Sequence, residues 1–222
     1  MHAFDGRWVS SIDGPDKRGQ LLGLSDTRGK GIRAFTYSLP DDELTDRDML
    51  AVNDERMEPF FLGRAYYGSL CYVPANDAWV EFYHFAGRME MLSATGAVLK
   101  AGSVPFRWLP HVEPSADRGG RVIFGANNPR TRHAYQGCSA TDRYIYGLYL
   151  GHLSGENAAT DYFNRLPYGE IHVFDLSLRF VRAFVLDHAT SVFAVVPGDS
   201  LLFSVKEDST GAGVRRTRLP IE

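Results

Sequence analysis

Two polar segments hold most of the side chains able to recognise a ligand. "GANNPRTRHAY", residues 125–135, carries Arg130, Arg132 and His133, and "GHLSGENAATDYFNRLPY", residues 151–168, carries Asn157, Tyr162 and Arg165. An arginine forks a carboxylate or phosphate through two parallel N–H donors, and an aromatic face stacks on a sugar ring or a cation. Arg130, Arg132, His133, Tyr162 and Arg165 are therefore the candidate ligand-binding residues, and the partner they suit is a protein, a glycan or a small anionic ligand. If both segments leave one side of the molecule, these residues form a positive, aromatic-edged patch. Arg132 and Arg165, read as exposed charges, should then be replaceable by alanine with little loss of stability.

Catalytic signatures are scarce by comparison. The chain has no G-x-S-x-G nucleophile elbow, no H-E-x-x-H pair and no loop of alternating aspartates, so hydrolase and zinc-protease readings have no local support. "GKGIRA", residues 29–34, matches a loose dinucleotide-binding pattern, but that pattern requires a following helix, and "FTYSLPDD" reads as a strand ending at Pro40. The seven histidines are scattered, and His84, His133 and His152 read as rim or hydrogen-bonded structural residues. A metal held by side chains from separate segments leaves no local motif; Glu81, Asn127, Asn128 and Glu156 are the residues to inspect for one. No motif requires a cofactor, and no catalytic residue is assigned.

The elements positioning these segments are strands. Apolar residues alternate or run in blocks of four to eight bounded by Gly, Pro, Asn and Asp, which defines an all-β chain. Only "DDELTDRDMLAV", residues 41–52, has helical promise, with acidic residues at its start suiting a helix N-terminus for a turn or two. "CYVPANDAWVEFYH", "QGCSATDRYIYGLY" and "FAVVPGDSLLFSVK" superpose on Asp77, Asp142 and Asp199 as strand, turn, strand. Asp suits such a turn because its carboxylate accepts backbone N–H bonds. "RMEMLSATGAVLKAG" and "EIHVFDLSLRFVRAF" repeat a second strand–turn–strand element, and "GQLLGLSDTRGKGIRAFTYSLPD" reads as a degenerate copy. "RVIFGA", inside the long 111–135 insertion, reads as a possible strand of its own.

A repeated antiparallel unit of four strands describes a single β-propeller domain over residues 1–222, with blade-like units at 7–45, 62–105, 135–187 and 188–222. In such a ring the middle strands are covered on both faces. The aromatic run "YIYGLYL" then places Tyr144, Tyr146, Leu148 and Leu150 toward one neighbouring blade and Ile145, Gly147 and Tyr149 toward the other. Ligands should meet the loops and not this strand. If the chain is complete, its blades should close as a small ring or dimerise across the exposed edge.

"TDRYIYGLYLGHLSG", "GEIHVFDLSLRFVRAFVLD", "SVFAVVPGDSLLFSV" and "GVRRTRLPIE" resemble the C-terminal part of TolB-like six-bladed β-propeller proteins, many of them exported lipoproteins. The resemblance covers residues 62–222 in order and, weakly, 7–43. It implies a six-bladed type of propeller lacking its first blade or two, a periplasmic or cell-surface location, and no established chemistry. The function expected is non-enzymatic binding or scaffolding; the alternative is an axial-metal hydrolase of the propeller-lactonase type.

Composition narrows the choice further. A formal net charge of −3, with 44% hydrophobic residues in 222, gives no electrostatic footprint for nucleic acid and ample material for a core. No apolar run is long enough to be a transmembrane segment, and the opening "MHAFDGRWVSSIDG" has no secretory-signal pattern, leaving a cytoplasmic location open. Cys71 and Cys138, 67 positions apart, could bridge or remain thiols; thiols are favoured.

Overall fold

Short blocks rich in β-branched and aromatic residues, cut by turn formers, favour extended backbone. Every element defined among the described residues is a strand. The computed structural model describes residues 8–26, 32–49, 65–103, 108–111, 114–116, 122–124, 130–153, 169–208 and 211–220. The first sheet contains β1 (Trp8–Asp13), β2 (Gln20–Asp26), β3 (Ile32–Ser38) and β4 (Glu43–Met49), and the second β5 (Gly68–Val73), β6 (Ala78–Tyr83), β7 (Arg88–Leu92) and β8 (Val98–Ser103). A ribbon of β9 (Pro114–Ala116) and β10 (Val122–Phe124) follows, the latter within "RVIFGA". The third sheet contains β11 (Tyr135–Ala140), β12 (Tyr144–Tyr149), β13 (Glu170–Asp175) and β14 (Phe180–Val185), and the last β15 (Thr190–Val195), β16 (Leu201–Asp208) and β17 (Gly211–Arg218).

Within each sheet, strands pair antiparallel in chain order. The first strands pack on one another in succession, β1 on β5, β5 on β11 and β11 on β15. Sheets fanned in order about their first strands are the blade arrangement of a β-propeller, and the fold is all-β and propeller-like. No helix among the described residues is long and apolar enough to cross a membrane.

Two sequence expectations are overturned. Residues 43–49 of the acidic segment are not helical but form edge strand β4, pairing Thr45 with Thr36 and Leu44 with Tyr37; the ladder to β3 outweighs a weak helix preference. Cys71 and Cys138 are not thiols but a disulfide, their Cα atoms 5.8 Å apart. The packing of β5 on β11 supplies a proximity that 67 intervening residues conceal.

Asp77, Asp142 and Asp199 all lie in turns joining the first and second strands of their sheets. Asp77 and Asp199 adopt left-handed backbone, φ 47° and 60°, which Asp tolerates better than most residues; Asp142 does not. The corresponding turn of the first sheet uses Asp16, whose Oδ1 accepts the N–H groups of Arg18 and Gln20, each at 2.8 Å.

β12 shows why its residues are so apolar. Ile145 and Tyr149 pack toward the second sheet, against a core containing Val80, Phe82, Tyr135 and Phe174. Tyr144, Tyr146 and Leu148 pack toward the last sheet with Phe193, Val195 and Leu202. Each sheet boundary also has a specific tie. The Trp79 indole N–H donates to the Asp13 carbonyl at 3.2 Å, joining the first two sheets. Ser69 Oγ donates to the Gln136 carbonyl at 2.9 Å beside the disulfide, joining the second and third. The hydroxyls of Tyr146 and Thr141 donate to the buried Asp199 Oδ1 at 2.7 and 2.6 Å, joining the third and last.

Gly147 marks the tightest approach between the second and third sheets. A Cβ there would lie 2.7 Å from Phe82 Cε1 and 2.8 Å from Tyr135 Cδ1. Gly147→Ala should destabilise the protein by about 1–3 kcal/mol through overpacking. Thermal or urea unfolding checks this; an unchanged midpoint would mean the two sheets do not meet there.

Candidate functional site

One end of the second and third sheets gathers the chain's most unusual polar side chains. Chain segment 130–134, just before β11, continues the strand's pairing: His133 N–H donates to the His152 carbonyl (2.8 Å), Gly151 N–H to that of His133 (3.1 Å), and Ala134 N–H to that of His84 (2.6 Å). Arg132 and Leu153 form an isolated antiparallel bridge. The described ends of the segments 125–135 and 151–168 are thus joined at the same end of the fold. Arg130 is exposed, and Arg132 and His133 are half-buried at this junction. Tyr162, Arg165 and Asn157 lie outside the described residues.

Arg132 is not the loosely held charge the sequence suggests. Its guanidinium lies over the Trp108 ring at 5.3 Å, and Nη1 donates to the Gly151 carbonyl at 3.2 Å. Its replacement therefore removes a cation–π contact and a hydrogen bond, so the expectation of a nearly neutral Arg132→Ala is corrected.

From Trp108 a ladder of planar groups runs inward. Trp108 and Tyr149 have ring centroids 6.2 Å apart, and Tyr149 stacks on His172 at 4.3 Å and 21°. Register explains the grouping, since Tyr149 lies opposite both Tyr135 of β11 and Glu170 of β13. His172 Nε2 is 3.3 Å from Glu170 Oε1, and Nδ1 is 3.0 Å from the Tyr135 hydroxyl. A carboxylate only accepts, so a neutral His172 carries its proton on Nε2 and accepts from Tyr135 at Nδ1. Burial lowers the pKa of His172, and Glu170 partly opposes that shift. The Tyr135 hydroxyl is buried and its pKa lies well above the usual range, chiefly through desolvation, so it serves as a hydrogen-bond donor and not as a nucleophile. The Trp108 indole N–H is buried with no acceptor among the described residues.

The three histidines read as unrelated in sequence converge beside this ladder. His133 and His152 stack at 4.8 Å, and His84 Nε2 is 2.9 Å from Ser69 Oγ. Burial, followed by the repulsion of His133, pushes the His84 pKa down to about 4; burial and His152 do the same to His133. Both imidazoles are neutral at ordinary pH.

Glu81, considered as an axial metal ligand, sits elsewhere. It lies on β6, the second strand of its sheet, opposite Glu90 of β7, and is fully buried. Neither carboxyl oxygen has a hydrogen-bond partner among the described residues, whereas Glu90 accepts from Tyr83 at 2.6 Å and pairs with Arg88. Desolvation first and the Glu90 charge second raise the Glu81 pKa well above the usual carboxylate range. Among the described residues no three His, Cys, Asp or Glu side chains are grouped to hold a metal ion; Asn127, Asn128 and Glu156 lie outside them.

Sequence reasoning missed Trp108, Tyr149, Glu170 and His172 as a group because they come from three separate segments. The available signal was His172, a polar residue inside the apolar strand "EIHVFD".

Searches against family models and against curated proteins found no match. Solved structures do resemble the chain. A candidate 6-phosphogluconolactonase from Bacteroides uniformis is 11% identical with a TM-score of 0.51, over 95% of this chain and 54% of that one. A functionally unknown protein from Desulfotomaculum acetoxidans is 8% identical with a TM-score of 0.50, over 95% and 55%. A member of the DUF4221 family from Bacteroides vulgatus is 8% identical with a TM-score of 0.50, over 94% and 64%. At these identities the likeness is one of fold alone. The chain spans little more than half the length of the first two.

The buried groups make stability depend on pH in opposite senses. The folded-state pKa of His84 lies below the ordinary 6.5, so its contribution is complete above pH 6.5 and is lost as pH falls toward about 4. The folded-state pKa of Glu81 is raised, so its contribution is present below the ordinary 4.5 and is lost as pH rises from there. Melting followed across pH should show His84→Gln with a shallower loss between pH 6.5 and 4, and Glu81→Gln with a gain over the parent that grows above pH 4.5. Parallel profiles for parent and variants would contradict these assignments.

Proposed function

We propose that the protein is a non-enzymatic binding or scaffold propeller whose ligand meets the end of the second and third sheets where segments 125–135 and 151–168 are rooted. The observation carrying this reading is the Arg132–Trp108–Tyr149 stack beside the Arg132–Leu153 bridge. A guanidinium held on an indole, with a further aromatic face and an exposed Arg130 on the same segment, suits a ligand bearing both an anionic group and a flat apolar face. An acidic sugar has both. Its carboxylate would meet Arg130 and His133, and its ring the aromatic edge, to which Tyr162 and Arg165 would add.

We also place the protein in the TolB-like propeller group at the cell envelope. Support comes from the sequence resemblance over residues 62–222 and from the Cys71–Cys138 disulfide, a bond that persists in oxidising compartments and is rare in the cytosol.

Titration with glucuronate-containing oligosaccharides, followed by tryptophan fluorescence, tests the binding reading. We expect saturable binding that Arg130→Ala weakens about tenfold or more, while melting stays nearly unchanged because Arg130 is exposed. Binding indifferent to Arg130 and Trp108 substitution would place the ligand elsewhere. A stoichiometric divalent ion in elemental analysis would instead favour the alternative reading, an axial-metal hydrolase.

A further inference from the structure

The outer strands of the second and third sheets are not built like ordinary solvated edges. β8 reads "VLKAGS" and β14 "FVRAFV", with two basic residues, no acidic one, and Leu99, Phe180 and Val185 exposed. Sheet edges are normally blunted by charge. In the ladders Lys100 and Gly102 lie opposite Met91 and Met89, and Phe180 lies opposite Phe174, three partners that belong to the core shared by these two sheets. Lys100, Gly102 and Phe180 therefore face the same gap between the sheets. The gap is tightest where a Cβ on Gly102 would lie 2.8 Å from Leu178 Cβ. Residues 100–102 and 177–180 form the walls of a groove of about 630 Å³. Its walls are held in place. Asp175 accepts the N–H groups of Ser177 and Arg179 at Oδ1 and Arg179 Nε at Oδ2, at 2.8–3.0 Å. The Phe180 ring, 40% exposed, is braced by His172 and Phe174 at centroid distances of 5.4 and 5.8 Å. Arg179 keeps 81% of its side chain in solvent, and exposed Lys100 forms no ion pair among the described residues.

We propose that this groove docks an extended acidic segment of a partner protein, with carboxylates on Lys100 and Arg179 and an apolar side chain against Phe180 and Leu178. Charge selects the sign of the occupant. The lining carries two cations and no carboxylate, and Asp175, behind Arg179, already has both oxygens engaged by N–H donors. An arginine and a lysine with solvent-facing donors suit carboxylates. Openness selects the form. Lys100, Ala101, Arg179 and Phe180 are all exposed, so a small molecule, which binds best with most of its surface buried, would stay wet there. An extended chain instead spans an open groove and sends alternate side chains into it. The groove shares no lining residue with the Arg130–Arg132 segment, so this surface and the ligand end proposed above stand or fall separately.

Fluorescence anisotropy with a fluorescein-labelled peptide of alternating aspartate and leucine tests the proposal, with a peptide of alternating lysine and leucine as the control. We expect saturable binding of the acidic peptide alone, weakened about tenfold or more by Lys100→Glu, which sets like charges across the contact. Melting of Lys100→Glu should stay close to that of the parent, because Lys100 is exposed and unpaired, and this separates a lost contact from a lost fold. Arg130→Ala should leave peptide binding unchanged, and Lys100→Glu should leave glucuronate binding unchanged. Absence of saturable binding, indifference of the acidic peptide to Lys100→Glu, or equal binding of the two peptides would overturn the proposal. So would self-association of the chain that Lys100→Glu dissolves, or capture by phosphatidylglycerol vesicles in place of the peptide.

Discussion

Burial of the middle strands on both faces is the constraint on which the rest of the structure depends. Trp79, Val80, Phe82, Ile145, Tyr146, Leu148, Ile171 and Phe174 have no exposed surface, and they face alternate sides of their sheets. A sheet with two apolar faces cannot stand alone in water; it needs a neighbour on each side, and each neighbour needs the next. The hydrophobic term is non-directional and would tolerate sliding. Sliding is restrained by the ties near the first strands: the Trp79 donation to Asp13, the Cys71–Cys138 bond, and the two hydroxyls on Asp199.

The same stacking creates the candidate site. The first strand of the third sheet is gripped by the second sheet through β5, so the chain entering it at 130–134 is held between the His84 and His152 carbonyls. Side chains there need not be mobile to remain partly wet, and binding groups on loops held by a rigid scaffold are a common arrangement. Desolvation is the accompanying cost. His84, His133 and His172 are held toward their neutral forms and Glu81 toward its acid form, because charge is disfavoured where water is excluded.

Much of the fold was legible in sequence, since period-two and block patterns bounded by turn formers depend on local backbone chemistry. The equivalence of the Asp77, Asp142 and Asp199 turns and the two faces of β12 could be read in this way. Edge strand β4 could not, because its acidic residues fit a helix N-terminus as well as a solvated edge, and only pairing with β3 decides. The disulfide and the Trp108–Arg132–Tyr149–His172 ladder depend on which strands become neighbours, a property of the assembled sheets that leaves no spacing to read. Arg132 could be read only as a candidate ligand-binding residue, and its clamp on Trp108 required knowing what lay beneath it.

Hydrogen exchange measured by mass spectrometry tests the central claim most directly, because amide protection reports which strands open only with the whole fold. The amides of β6, β12 and β13, buried on both faces, should exchange slowest and as one group, with those of the exposed edge strand β17 exchanging fastest. Protection of β17 equal to that of β12, or fast exchange of β6 and β12, would contradict a fold held together by middle strands covered on both sides.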